Sequence, residues 1–210
     1  MSTTADAMTM PGEPVTSVPL SLRGPASARV VAGFGFWLFL LSDIVMFGAF
    51  FAAYAVLSGE TAGGPSGPQL FDKSRVFIET LCLLASSVTC GYGALAVRRA
   101  DKLATYLWMA VTFLLGAAFL LLEIAEFSGM VTREAGPSRS AFLSAFFALV
   151  GAHGLHVTVG LTWLVVMLLQ VSTLGFHPMV RRRLYCFSLY WHALDIVWVG
   201  VFTIVYLGAR

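Results

Sequence analysis

The chain has 210 residues, of which 58% are hydrophobic and only 11% are charged, and its formal net charge is +2. About 25% of the residues of a soluble domain are charged, so this composition excludes an ordinary soluble protein and indicates a polytopic membrane protein. The small net charge also argues against nucleic acid as a partner.

Five apolar runs predict an all-α fold, a bundle of five transmembrane helices, because a helix of about 20 apolar residues spans a bilayer. The predicted spans are Val30–Leu57, Val76–Val97, Ala104–Phe127, Ala141–Thr173 and Leu184–Leu207. The connection Ser58–Arg75 is rich in Gly and Pro and is predicted not to be helical throughout. Residues 1–28 are rich in Pro, Ser and Thr, so we expect a flexible cytoplasmic tail before a transmembrane domain over residues 29–210.

The Lys and Arg residues predict the orientation in the membrane. With the N-terminus inside, eight basic residues lie on the inner side and five on the outer side. The inner set is Arg23, Arg29, Arg98, Arg99, Lys102, Arg181, Arg182 and Arg183; the outer set is Lys73, Arg75, Arg133, Arg139 and Arg210. Basic residues are enriched on the cytoplasmic side, so we expect a cytoplasmic N-terminus and a periplasmic C-terminus.

Ionisable side chains inside the spans are the candidate functional residues, because such groups are costly in lipid. They are Asp43 in the first span, Glu79 in the second, Glu123 and Glu126 in the third, His153 and His156 in the fourth, and His192 and Asp195 in the fifth. Each pair has an i,i+3 spacing, which places both members on one helix face. We expect the carboxylates and imidazoles to satisfy one another in a buried polar network.

The depth of these residues differs along the spans. The three Glu residues lie near the outer ends of their helices, whereas the Asp and His residues lie near mid-depth. On the fifth span, the ionisable pair falls in a predicted stripe with Tyr185, Ser188, Val199 and Tyr206.

The fourth span has two different faces. His153 and His156 share one face with Gly160, and Gly151 and Gly154 lie on the nearly opposite face with Thr158. Small residues let a neighbouring helix approach closely, and a polar face needs protein or water beside it. We therefore expect this helix inside the bundle, with neighbours on both sides.

Two functional interpretations compete with a structural network. Carboxylate and His pairs on several helices are similar to di-iron bundle sites, but those need two Glu-x-x-His motifs, and here the pairs are Glu-x-x-Glu, His-x-x-His and His-x-x-Asp. Asp, Glu and His side chains in a membrane also mark proton relays, which require a continuous series of donors and acceptors.

Four motifs resemble subunit III of the haem-copper terminal oxidases. They are GFWLFLLSDIVMFGAFFAAYAV with Asp43, LEIAEF with Glu126, FFALVGAHGLHVTVG with His153 and His156, and LYWHALDIVWV with His192 and Asp195. The resemblance covers nearly everything after residue 30. The five spans, the loop TAGGPSGPQLFD, the stretch GPSRSAFLSAFFALVGAHGLHV and Glu79 in VFIETLCLL are similar to the bo-type ubiquinol oxidase branch.

The resemblance implies a non-redox accessory subunit with no catalytic, metal-binding or cofactor-binding residue of its own. Haem, copper and ubiquinol are expected in partner subunits, with subunit I as the main contact and subunits II and IV as further partners. The resemblance also implies bound phospholipid, support of assembly and proton uptake, and a place in the bacterial cytoplasmic membrane. The alternatives are subunit III of a cytochrome c oxidase and a stand-alone membrane metalloenzyme.

Overall fold

The computed structural model describes residues 28–65 and 67–208, and these residues form an all-α bundle without a β-strand. The helices are α1 (Ala28–Leu57), α2 (Gly67–Leu70), α3 (Lys73–Arg98), α4 (Lys102–Thr132), α5 (Ala141–Leu174) and α6 (Pro178–Val201), and α6 continues as a π-helical turn over Phe202–Leu207. Five of these helices are long and apolar enough to cross a membrane. The predicted fold class is therefore confirmed. The expected tail lies outside the described residues, apart from Ala28, where α1 begins.

Capping residues explain why several helices extend beyond the apolar runs. Asp72 accepts hydrogen bonds from the backbone N–H groups of Ser74 and Arg75, so α3 begins three residues before the predicted Val76. His177 caps α6 and Pro178 occupies its first turn, which starts this helix six residues before the predicted Leu184. Side-chain caps satisfy backbone donors whether or not the residues after them are apolar, so hydropathy alone places these ends too late.

The connection between α1 and α3 agrees with the prediction from its Gly and Pro content. It contains only the four-residue helix α2. Ala62 and Gly63 both have positive φ angles, of 48° and 72°, and this left-handed conformation turns the chain directly after α1.

Four of the long helices enclose the core and the fifth lies at its edge. α3 packs against α4, α4 against α5, α5 against α6, and α6 against α3, while α1 packs mainly against α5 and α6. In the most apolar 18 residues of each helix, 11% are buried in α1 and 44% in α3. α1 is therefore the peripheral helix of the bundle.

The position predicted for the fourth span is confirmed by α5. Gly154 on one face lies against Glu123 of α4, and Gly160 on another lies against Trp191 of α6. His153 is fully buried between them. α5 therefore has close neighbours on both its polar face and its face of small residues.

Candidate intramembrane polar site

The ionisable residues of the spans separate into three groups in the folded chain. The first is the acidic group, Glu79, Glu123 and Glu126, towards the N-terminal end of α3 and the C-terminal end of α4. The second is the mid-depth group of Asp43, His153 and His156, where α1 meets α5. The third is the pair His192 and Asp195 on the side of α6 that faces α3.

The acidic group is deeply buried and lies around one tyrosine. Glu79, Glu123 and Glu126 are only 0%, 2% and 7% exposed, and they are close enough to interact electrostatically. The Tyr206 hydroxyl donates a hydrogen bond to Oε2 of Glu126 at 3.3 Å. Arg75 Nε lies 3.8 Å from Glu79 Oε1, a long contact made by a partly exposed side chain. Carboxyl groups exchange protons, so this group has the chemistry of a proton-holding site.

Two local features bring this acidic group together. The i,i+3 spacing on α4 stacks Glu123 over Glu126, and the absence of a side chain at Gly154 leaves room for Glu123. A Cβ atom at Gly154 would lie 2.8 Å from Glu123 Oε1. The sequence predicted that each Glu lies near an outer end, but it contained no sign that α3 and α4 bring them to one place.

The predicted stripe on the fifth span is wrong beyond Val199. Tyr206 is fully buried whereas Val199 is 42% exposed, although an uninterrupted α-helix would place them on one face. The π turn over Phe202–Leu207 holds an additional residue and rotates the end of the helix by about 100°, which directs Tyr206 towards Glu126. Sequence reasoning missed Tyr206 as a site residue because no residue type reliably marks a π turn.

His153 occupies an aromatic cage in the core. Its ring centroid lies 5.1 Å from Trp198, 5.8 Å from Phe119 and 6.3 Å from Phe47. Neither ring nitrogen has a hydrogen-bond partner among the described residues. Packing against three rings from three helices therefore fixes this imidazole.

His156 bonds to its own helix and not to a carboxylate. Its Nδ1 donates to the carbonyl oxygen of Ala152 at 2.7 Å, and its own carbonyl accepts from the Tyr190 hydroxyl at 2.9 Å. Asp43 on α1 lies close enough to His156 for an electrostatic interaction and remains partly exposed. The structure thus brings Asp43 and His156 to the same edge of the bundle.

Hydroxyl groups of α3 hold three residues of α6. His192 Nδ1 lies 2.7 Å from Ser87 Oγ, Trp191 Nε1 donates to Ser86 Oγ at 3.0 Å, and Trp198 Nε1 donates to Thr80 Oγ1 at 3.0 Å. Asp195 lies close to Ser87 and to His192. These α3 hydroxyls were also missed, because Ser and Thr in a span most often bond to the backbone of their own helix.

The expected pairing of carboxylates with imidazoles is therefore wrong for the described part of the chain. Over residues 28–65 and 67–208 no carboxylate oxygen forms a hydrogen bond with an imidazole or lies within 4.0 Å of an imidazole nitrogen. The partners are instead hydroxyl groups and backbone carbonyls. Helical periodicity places each residue on a face, but it does not say which two faces meet.

Metal-binding geometry is not found among the residues that the structure describes. No three His, Cys, Asp or Glu side chains there converge as a metal ion would need. The di-iron arrangement also needs two Glu-x-x-His motifs, and no Glu of the sequence has a His three residues later.

The sequence comparisons agree with the four motifs. The family model for cytochrome c oxidase subunit III matches residues 20–209. Subunit 3 of the cytochrome bo(3) ubiquinol oxidase of Pseudomonas putida is 51% identical over 173 residues, which cover 82% of this chain and 84% of that protein. The subunit of the same name from Pseudomonas aeruginosa is 52% identical and covers 83% of each chain.

One relative is named for a cytochrome c oxidase, and it is less similar to this chain than the two Pseudomonas proteins. Cytochrome c oxidase subunit 3 of Bacillus sp. (strain PS3) is 44% identical over 173 residues, which cover 82% of this chain and 84% of that protein. The family match spans α1 to the π turn and includes every residue of the three polar groups. This multi-pass membrane chain therefore belongs to the cytochrome c oxidase subunit III family.

Proposed function

We propose that the chain is the non-redox subunit III of a proton-pumping haem-copper ubiquinol oxidase that reduces O2 to water. The observation that carries this proposal is the 51–52% identity, over more than four-fifths of both chains, to proteins named as subunit 3 of cytochrome bo(3) ubiquinol oxidase. One relative named for a cytochrome c oxidase is 44% identical, within the 40–52% range of those named for quinol oxidases, so the support for ubiquinol comes from the two relatives above 50%.

The histidine environments support a role without electron transfer. His153 is enclosed by aromatic rings, His156 bonds to its own helix, and His192 lies beside Ser87. Each imidazole thus has a packing or hydrogen-bonding role inside this chain. Haem, copper and ubiquinol then belong to the partner subunits, subunit I above all, with subunits II and IV completing the complex.

The position in the membrane is part of the same proposal. We place the chain in the bacterial cytoplasmic membrane, with a cytoplasmic N-terminus and a periplasmic C-terminus. Lys and Arg are in excess on one side of the bundle, where α3 ends and where α4 and α6 begin. This excess supports the orientation.

The three polar groups have structural roles and provide a proton or lipid environment in this proposal. The acidic group around Tyr206 supports proton holding, because carboxyl groups from two helices share one buried place. Asp43 is partly exposed and provides a carboxyl group for lipid or a partner, and His192 and Asp195 contribute to assembly.

A pair of purifications tests the proposal. A tagged chain should bring down the other oxidase subunits from membranes, together with haem absorption bands and ubiquinol oxidase activity. A complex isolated from a strain that lacks the chain should keep its haem and copper per catalytic subunit but lose stability. Loss of one haem or one copper with the chain, or a complex that oxidises cytochrome c and not ubiquinol, would contradict it.

A further inference from the structure

The acidic group contains more carboxyl oxygens than hydrogen-bond donors. Four of these oxygens are buried without a partner among the described residues: both oxygens of Glu79, Oε2 of Glu123 and Oε1 of Glu126. Tyr206 supplies one donor, at 3.3 Å from Oε2 of Glu126. Buried polar atoms are almost always hydrogen-bonded, and a protonated carboxyl group is itself a donor. Protons held on these carboxyl groups would therefore supply hydrogen bonds that the protein does not.

The charges beside the acidic group do not balance three carboxylates. Of the described residues, only Arg75 has a cationic nitrogen within 4.0 Å of the group, 3.8 Å from Oε1 of Glu79. Asp72, the cap of α3, is a further acid that acts electrostatically on the group. Like charges that share a buried place oppose the ionisation of one another, and an unbalanced buried charge is costly.

The other elements around the acidic group supply no second cation. α5 contains no Asp, Glu, Lys or Arg, and it faces the group with Gly154. The π turn contributes Tyr206, which donates a hydrogen bond without adding a charge. Lys73 lines an open groove beside Tyr206 and lies more than 4.0 Å from every carboxyl oxygen of the group. One cation therefore faces three carboxyl groups.

The acidic group lies close to one end of the bundle. Glu79 is six residues after Lys73, where α3 begins, and Glu126 is six residues before Thr132, where α4 ends. Both residues therefore lie about 9 Å of helix from the same surface. The side chain of Arg75 is 36% exposed, so it connects this buried place with the water at that surface.

Aromatic rings close the acidic group on its inner side. Phe119 lies one helical turn before Glu123 on α4, and its ring centroid is 4.6 Å from Trp198 and 5.8 Å from His153. All three rings are fully buried. Neither nitrogen of His153 has a hydrogen-bond partner among the described residues, so this imidazole does not connect the acidic group to the mid-depth group.

We propose that the acidic group is a proton-binding site that holds two protons at neutral pH and exchanges them only with the surface where α3 begins and α4 ends. Of its three carboxyl groups, two are neutral acids and one carries the charge that Arg75 balances. The protons are shared, so this charge belongs to the group and not to one Glu. The inference deepens the proton-holding role and rests on the proposed function, which places this surface on the periplasmic side. The site is a store of protons and not a passage across the membrane.

Infrared spectroscopy of the purified complex tests the number of protons. Glu79→Gln, Glu123→Gln and Glu126→Gln should each remove one carbonyl band of a protonated carboxyl group at neutral pH and leave the carboxylate bands unchanged. The two carboxyl groups that remain then share one proton and one charge. Arg75→Gln should add one protonated-carboxyl band and remove one carboxylate band, because no cation then balances the charge.

Glu134→Gln is the matched control. Glu134 is exposed just after α4, at the same end of the bundle, so its replacement should remove a carboxylate band and no protonated one. Loss of a carboxylate band in any of the three acidic-group variants, or an Arg75→Gln spectrum equal to that of the wild type, would overturn the proton count. Arg75 is partly exposed, so its variant keeps the test decisive where a buried Gln variant fails to fold.

A change of pH on one side of the membrane tests the exchange. The complex is placed in vesicles with one known orientation, and the bands identified by the Gln variants are followed. Alkaline pH on the side where α3 begins should remove the protonated-carboxyl bands, and alkaline pH on the other side should leave them. Any other pattern would overturn exchange with that surface alone.

These measurements separate the proton site from the proposed function. The bands belong to this chain, so they persist even where the wild-type chain brings down no oxidase subunit, a result that would remove only the proposed function. Three ionised carboxylates in an intact ubiquinol oxidase complex would remove only the proton site.

Discussion

Trp191 joins α6 to three other helices of the bundle. It extends from α6 between Gly116 of α4 and Gly160 of α5, and its Nε1 donates to Ser86 of α3. The side chain is only 1% exposed. Since the indole is rigid, the two glycines that receive it cannot gain volume without displacing the ring.

Gly116→Ala should therefore destabilise the protein. The new Cβ would lie 2.8 Å from Cζ2 of Trp191 and 3.1 Å from Cδ2 of Leu161, contacts too short for a packed core. Overpacking of this kind costs about 1–3 kcal/mol. Thermal unfolding of the purified complex should show a lower midpoint for this subunit.

Gly129→Ala is the matched control on the same helix. Its Cβ would meet nothing within 4 Å, so the greater helix propensity of Ala should leave stability unchanged or raise it by up to about 1 kcal/mol. If both variants unfold at the same temperature, the Trp191 contact does not limit the space at residue 116.

The sequence predicted which residues are buried more often than it predicted their contacts with other helices. His153 was expected inside the bundle and is fully buried, but its neighbours are Phe47, Phe119 and Trp198 and not a carboxylate. Hydropathy indicates which residues are buried and helical spacing indicates which residues share a face, because both are properties of a single helix. Contacts between helices depend on the order and rotation of several helices, which no single run of residues encodes.

At the scale of elements, the sequence predicted the five long helices, but it predicted only some of their first and last residues. The apolar run from Ala141 predicted the start of α5 correctly, because Ser140 caps it where the run begins. α4 continues five residues beyond the predicted Phe127, to Thr132, through a mixed stretch, SGMVT, that remains helical. The π turn after α6 left no mark in the hydropathy pattern at all.

The π turn makes a prediction about Tyr206. Tyr206→Phe removes the hydroxyl that donates to Glu126 and leaves this buried carboxyl group without that partner, which should cost about 1–3 kcal/mol. Deleting Thr203 should cost at least as much, because an α-helical register would also withdraw the ring from Phe71 and Phe146, whose centroids lie 4.8 and 6.0 Å away. Thermal unfolding of the purified complex measures both losses.

Tyr185→Phe serves as the control for this pair of variants. Tyr185 is 54% exposed on the same helix, so its change should leave the free energy of unfolding within about 0.5 kcal/mol of the wild type. A Thr203 deletion that is less damaging than Tyr206→Phe would show that the π turn does not position Tyr206.

At the scale of the whole molecule, the peripheral position of α1 creates a groove. The groove lies where the N-terminal half of α1 meets α5 and the start of α6, and it has a volume of about 390 Å³. Its walls are formed mainly by Phe36, Phe39 and Trp163, and Arg182 and Arg183 lie at its rim. An apolar channel that ends at two guanidinium groups matches an acyl chain below a phosphate.

This groove supports the lipid role in the proposed function and provides a test of it. Replacing both rim residues, Arg182→Gln with Arg183→Gln, should weaken binding of an anionic phospholipid by about 2 kcal/mol, at about 1 kcal/mol for each basic residue. Quantification of phospholipid in the purified complex by mass spectrometry should show loss of about one anionic lipid, since both residues line the same groove.

The control removes a basic residue at the same end of the bundle but outside the groove. Arg98→Gln removes a charge at the end of α3, outside the groove, and should leave the lipid content unchanged. Arg182 is partly exposed and Arg183 is exposed, so the rim variants should leave the fold of the subunit intact. Equal lipid loss in the Arg98 variant would mean that general surface charge, and not the groove, retains the lipid.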